Sequence, residues 1–196
     1  MENIDDQVYI NRVLDGDTQA FSMLVNRYKD MVFSLSLKLI RNREEAEEAA
    51  QDSFVKVFRS LNKFKGDSKF STWLYKVTYN TGLDQVKKNK RTQPVLAIDE
   101  YTEAEVKELS SFIDRIEESE RKQVIQNCLD QLPNEDNFLL TLFYFEEQSV
   151  KEIAKIMGIN DNHVKIKLHR GRKKLATVIK HSMTPEIENH YESEHR

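Results

Sequence analysis

Ser149–Leu175 reads SVKEIAKIMGINDNHVKIKLHRGRKKL, and its spacing decides the fold. Ser149 and Glu152 stand three apart, as a capping box requires. The hydroxyl accepts from an early helical N–H while the carboxylate reaches back to the cap N–H. Val150, Ile153, Ala154 and Met157 then fall on one helical face. Gly158 stands where the chain must leave that helix, in the left-handed conformation that costs glycine little. Asn160 or Asp161 can cap the next helix. In that second helix Val164, Leu168, Gly171 and Leu175 recur at helical spacing and should face a core. Its remaining surface carries Lys165, Lys167, His169, Arg170, Arg172, Lys173 and Lys174. Helix, tight turn and cationic helix together predict a helix-turn-helix whose second helix enters a DNA major groove.

The rest of the chain agrees with an all-α protein. Five Gly and three Pro in 196 residues, with 32% charged residues, leave little material for turns between strands. No apolar run approaches the roughly 20 residues needed to span a membrane. The opening MENIDDQVYI lacks the basic and apolar regions of a signal peptide, so a cytoplasmic location is expected. Cys128 is the only cysteine, which excludes an internal disulfide and a cysteine metal cluster. Among Val124, Ile125, Leu129 and Leu132 it reads as a buried structural thiol. His169 has no partner ligand nearby in sequence, so no metal and no cofactor are expected.

A net charge of −3 is unexpected for a DNA binder, and its distribution explains it. Residues 56–91 hold ten Lys and Arg against two acids, and residues 150–181 hold nine against two. Residues 92–136 hold four against twelve, and residues 1–55 hold six against eleven. Two basic blocks therefore flank an acidic one, and such fields act locally whatever the total.

Along the chain, Val8–Leu14 reads as a short helix, and Asp17 or Thr18 caps the next. Met31–Ile40 is apolar enough to be largely buried, and Arg41–Asn42–Arg43 breaks it. Glu44–Leu61 is a strong helix with four Glu crowding its first turns, where the helix dipole favours anions. A loop follows at Phe64–Phe70, and Ser71 or Thr72 opens a helix that ends in the basic run 87–91. From Pro94 to about Glu120 the chain is acidic and reads as a flexible linker, with a marginal helix over Val106–Ile116. A second domain begins near Arg121, with Asn134 as the cap of its second helix. The expected organisation is a domain over 1–91, a linker over 92–120, a helix-turn-helix domain over 121–181 and a disordered tail over 182–196.

Two stretches carry a family resemblance. EEAEEAAQDSFVKVFRSLNKFKGDSKFSTWLYKVTYNTGLDQVKK in front and LPNEDNFLLTLFYFEEQSVKEIAKIMGINDNHVKIKLHRGRKKL behind resemble an extracytoplasmic-function sigma factor, the minimal two-domain bacterial type. The resemblance implies a partner in core RNA polymerase, docked on Glu47, Glu48, Gln51 and Asp52; without it these acids read as a solvated face. It implies capture of a flipped −10 base by Phe64, Lys65, Gly66, Asp67 and Ser68, which supply a close backbone bend, polar groups and a stacking ring. Lys76, Asn80 and Asp84 lie four apart behind that loop, and Lys87, Lys88, Lys90 and Arg91 would track the strand. Trp73 has two readings, a core tryptophan or a base-stacking wedge.

For the −35 duplex the resemblance implies Lys165, Ile166, His169 and Arg170, with Arg170 as the guanine contact, and Asn162, His163, Arg172 and Lys173 beside them are further candidate contacts. It also implies an anti-sigma factor as a partner. Three positions depart from the family pattern: Asn137 stands where relatives carry Arg, Ile166 replaces a small polar residue, and Gly171 replaces Ala. The competing expectation is a dimeric helix-turn-helix regulator with a helical sensor domain. The loop at 64–70, with Trp73, Lys76 and Asn80 behind it, is what such a sensor would not need. A helical enzyme is the weakest reading, because no nucleophile–base pair or phosphate loop stands out.

Overall fold

The computed structural model describes residues 5–88 and the backbone of 118–194, with side chains given over 124–179 in the second stretch. The linker expected over 92–120, its helix over Val106–Ile116, and Lys90 and Arg91 fall outside these residues, apart from the last backbone at 118–120. Among the described residues all regular structure is helical. The front half holds α1 (Asp6–Leu14), α2 (Phe21–Ile40), α3 (Arg43–Ser60) and α4 (Phe70–Lys88). The rear half holds α5 (Glu118–Leu129), α6 (Asn134–Tyr144), α7 (Val150–Met157) and α8 (Asp161–Glu194). The backbone of α8 is helical as far as Glu194, through most of the segment where a disordered tail is expected.

Local chemistry sets the boundaries. Asp17 caps the short 3₁₀ turn before α2 by accepting from the Ala20 N–H, which resolves the choice between Asp17 and Thr18. Arg41, at φ 57°, ends α2 in the left-handed region. Asn42 then caps α3, its side chain accepting from the Glu45 N–H at 3.0 Å. α4 begins at Phe70, a residue or two before Ser71 and Thr72. Asn134 is not a cap: Pro133 takes that position, and the Asn134 amide donates instead to the Leu39 carbonyl of α2.

Small residues bring the front helices close. α3 buries Ala46, Ala49, Ala50, Ser53 and Val57. Gly82 of α4 packs on α2, where a Cβ would stand 2.7 Å from Leu39 Cδ1 and 3.3 Å from Leu39 Cβ. Gly82→Ala would relieve the helix penalty of glycine, about 1 kcal/mol, but force Leu39 from a packed site at a cost of about 1–3 kcal/mol. Net destabilisation near 1 kcal/mol is expected, read as a lower urea midpoint with an unchanged slope.

The two halves share one core. α2 packs on α6 and α4 packs on α7. The rings of Tyr79 and Phe138 meet at 5.0 Å between centroids across that junction. Lys38 of α2, with its side chain only 10% exposed, pairs with Asp130 at 2.6 Å. Arg41 donates to the Leu132 carbonyl. Tyr75 donates to Glu146 at 3.2 Å, and Tyr79 to Glu135 at 2.8 Å. Cys128 is buried at the start of the rear core, as its neighbours predict.

Candidate nucleic-acid interface

The helix-turn-helix forms as its spacing requires. Ser149 Oγ accepts from the Glu152 N–H at 3.3 Å, and the Glu152 carboxylate accepts from the Ser149 N–H at 2.9 Å. The Ser149 hydroxyl, above all, holds the Glu152 carboxyl below its usual range, with burial opposing. Gly158 leaves α7 at φ 68°. Asn160 caps α8, accepting from the His163 N–H at 2.8 Å. Val164, Leu168 and Gly171 are buried, which turns the opposite face of α8 outward.

On that outward face Asn162, His163, Lys165, Ile166, His169 and Arg170 are exposed, and Lys173 is half-buried. Ile166 is 48% exposed, so an apolar tip stands among cations and amides where a thymine methyl could meet it. Three other cations of α8 are engaged within the protein. Lys167 pairs with Glu135 at 2.9 Å, and Lys174 with Asp136 at 2.5 Å. Arg172 donates to the Tyr144 hydroxyl at 2.8 Å, with its guanidinium 5.2 Å from the Phe143 ring centre and 5.8 Å from that of Tyr144. Arg172 therefore braces the C-terminal end of α6, where Tyr144 is half-exposed. Tyr144 escaped the sequence reading; an aromatic pair ahead of the capping box was its only signal. Asn137 is buried, donates to Asp130 at 3.1 Å and accepts from Thr141 at 3.2 Å, so it is a core polar residue rather than a DNA contact.

In the front half, Gly66 bends the loop at φ 77° with nothing within 4 Å of where a Cβ would be. Lys65 and Asp67 are exposed, and Ser68 is half-buried. Phe64 and Trp73 are half-buried, tilted against each other at 5.4 Å between centroids. Phe70 lies 6.0 Å from Trp73 and 5.7 Å from Tyr28. Trp73 thus sits at the rim of an aromatic cluster, with one part in the core and one toward the loop. Lys76, Asn80 and Asp84 are exposed in one row on α4, and Lys87 and Lys88 extend it.

On α3, Glu47, Glu48, Gln51 and Asp52 are all exposed. Arg43 pairs with Glu47 at 3.1 Å within the same helix. At the junction of the halves, Glu135 accepts from Tyr79 and from Lys167. Burial alone would raise its carboxyl pKa, but those two donors outweigh it and hold the group below the usual range. Burial pushes the Glu146 carboxyl up, with the Tyr75 hydrogen bond only partly offsetting it. Burial, reinforced by these carboxylates, likewise raises the Tyr75 and Tyr79 phenols. Among the described residues no cluster of His, Cys, Asp or Glu could hold a metal ion. No described helix is long and apolar enough to cross a membrane.

Two family profiles match this chain. The sequence profile of Sigma-70 region 2 matches residues 24–92, and that of Sigma-70 region 4 matches residues 122–175. The chain is 31% identical to the ECF RNA polymerase sigma factor SigW of Bacillus subtilis over 85% of its own length and 92% of the relative. It is 32% identical to the RNA polymerase sigma-H factor of Pseudomonas aeruginosa over 85% of its length and 90% of the relative. It is 32% identical to the ECF sigma-E factor of Escherichia coli K12 over 87% and 92%. Among solved structures, CnrH in complex with the cytosolic domain of CnrY shares the fold at a TM-score of 0.61 and 19% identity, over 89% of this chain and 97% of that one. The sigma factor RpoE from Bartonella quintana, in complex with the anti-sigma factor NepR, shares it at 0.60 and 17%, over 82% and 96%.

Proposed function

This chain belongs to the ECF sigma factors of RNA polymerase, and from that premise we propose which of its surfaces meet polymerase, duplex and melted strand. As a sigma factor it binds core polymerase, recognises −35 and −10 elements and starts transcription of a specific gene set. The observation that carries the division of labour is that each candidate surface stands outward on its own helix: acids on α3, amide and cations on α4, cations and amide on α8.

Glu47, Glu48, Gln51 and Asp52 dock on a basic surface of core polymerase. Lys165 and Lys173 set position through phosphates, Arg170 reads guanine, and Asn162, His163, Ile166 and His169 complete the −35 contact. Arg172 acts through Tyr144, holding that ring beside the groove. In front, Phe64, Lys65, Gly66, Asp67 and Ser68 capture an unstacked base with Trp73 at the rim. Asn80 reads it beside Lys76 and Asp84, while Lys87 and Lys88 follow the strand. Capture offsets the few kcal/mol of unstacking. The protein performs no bond chemistry itself, acts in the cytoplasm, and is regulated by an anti-sigma factor, as its structural neighbour RpoE is bound by NepR. A dimeric regulator with a sensor domain is not favoured, because the front half matches sigma region 2.

The docking assignment is tested by reversing charge on α3. Glu48→Lys with Asp52→Lys should weaken binding to core polymerase by about tenfold or more while leaving the circular dichroism spectrum unchanged, since both residues are exposed. Unchanged affinity would remove α3 from the interface.

A further inference from the structure

We propose that Asp6 and Tyr28 are positioning residues for base capture: they brace the aromatic cluster on which the loop at 64–70 stands, and so set the shape of the pocket that takes the flipped base. The proposal rests on the base-capture reading of that loop given above and names what holds the loop in place.

The loop is pinned at both ends. Phe64 and Phe70 meet edge to face, with ring centroids 5.8 Å apart. Trp73 packs on both, at 5.4 Å from Phe64 and 6.0 Å from Phe70. Phe70 is only 3% exposed while Phe64 and Trp73 are half-buried, so Phe70 is the inner ring of the cluster. With its ends held together the intervening segment must bulge, and Gly66 at φ 77° supplies the bend.

Behind Phe70 stands Tyr28 of α2, with ring centroids 5.7 Å apart. The Tyr28 hydroxyl donates to the Asp6 carboxylate of α1 at 2.5 Å. The other Asp6 oxygen accepts from Arg27, whose guanidinium lies 5.6 Å from the centre of the Tyr9 ring. Asp6 thus joins two consecutive residues of α2 to the first turn of α1, and the buried Tyr9 and Ile10 anchor α1 itself. A charge-assisted bond at the tip of a tyrosine restrains both of its side-chain torsions. Burial first, then the Asp6 carboxylate, raises the Tyr28 phenol above its usual range, so the hydroxyl stays a donor. The Asp6 side chain is 18% exposed, which shields the pair from the screening that weakens surface contacts.

The line of contact runs from Asp6 through Tyr28 and Phe70 to Phe64 and Trp73. α1 lies ahead of residue 24, where the match to Sigma-70 region 2 begins, so the brace comes from a segment that profile does not cover. Neither Asp6 nor Tyr28 lies in the loop. They act by preorganisation: a pocket already held in shape loses less freedom when the base enters, and a loosened supporting ring loosens the pocket.

Two variants reach the brace from opposite sides. Tyr28→Phe removes the hydroxyl and keeps the ring, and Asp6→Ala removes its acceptor. Each full chain is assembled with core polymerase on a promoter fragment carrying 2-aminopurine at each −10 position of the non-template strand in turn; its emission rises when the base leaves the stack. At saturating holoenzyme both variants should reduce that rise by at least about fivefold, while affinity for −35 duplex stays within about twofold. The double variant should match Asp6→Ala within about twofold, because both changes act through one bond. Trp73 is the only tryptophan, so its emission in the free native protein reports the cluster directly and should shift in both variants. A lower urea midpoint with unchanged native Trp73 emission and a full 2-aminopurine signal would make the pair a matter of stability alone and overturn the proposal. An equal loss of −35 duplex affinity would overturn it too, since the effect would not be confined to base capture. No 2-aminopurine signal from the unmodified protein at any −10 position is a different failure: it removes the base-capture reading, and the brace falls with it.

Discussion

Arg170→Ala should lower affinity for −35 duplex by about 10–100-fold, the 1–3 kcal/mol carried by a bidentate guanine contact. The loss should be confined to sequences with the cognate guanine and nearly vanish on a site where that base is changed. Arg170 is exposed on the outward face of α8, one turn beyond Ile166 and clear of the buried Leu168 and Gly171, so its removal should not unfold the domain. Lys165→Ala should behave differently, weakening all duplexes alike and reducing the salt slope by about one. Fluorescence anisotropy across a salt series, with cognate and substituted duplexes, separates the two. A uniform loss for Arg170→Ala would assign it to phosphate.

Asn80→Ala should leave −35 duplex affinity unchanged and cut open-complex yield by about tenfold, near 1–2 kcal/mol of lost base-edge contact. Asn80 is exposed midway between Lys76 and Asp84 on α4 and carries no packing load. Permanganate reactivity of unpaired thymines, scored beside duplex binding, gives both numbers from one preparation. Equal losses in the two steps would count against a front half that melts and a rear half that positions.

The local rules were legible in the sequence because short-range chemistry decides them. Ser149 with Glu152, Gly158 and Asn160 do in space what their spacing implies. Gly171 was legible as a core-facing position of the second helix that departs from the family's Ala. The structure adds that a Cβ there would meet Leu140 at 3.4 Å, so the site is close-packed without demanding glycine. What sequence reasoning missed lies between elements. Asn134 has the identity of a cap but spends its amide on Leu39 in the other half. Asn137 reads only as a departure from the family's Arg until Asp130 and Thr141 are seen around it. Arg172 reads as one more cation until Tyr144 and Phe143 hold it. The joining of the halves left one trace, a lysine at position 38 inside the apolar run SLSLKLI, whose partner Asp130 is 92 residues away. No periodicity connects residues that far apart, so only the folded chain reveals the pair.

The central claim is that one chain positions polymerase with its rear half and melts DNA with its front half. The most direct measurement mixes the full chain with core RNA polymerase and a pool of promoter fragments, then recovers those with permanganate-reactive bubbles. The account predicts bubbles only when both proteins are present, on fragments sharing two sequence elements at a fixed spacing. Absence of bubbles, together with tight binding of the protein alone to a palindromic duplex, would contradict it.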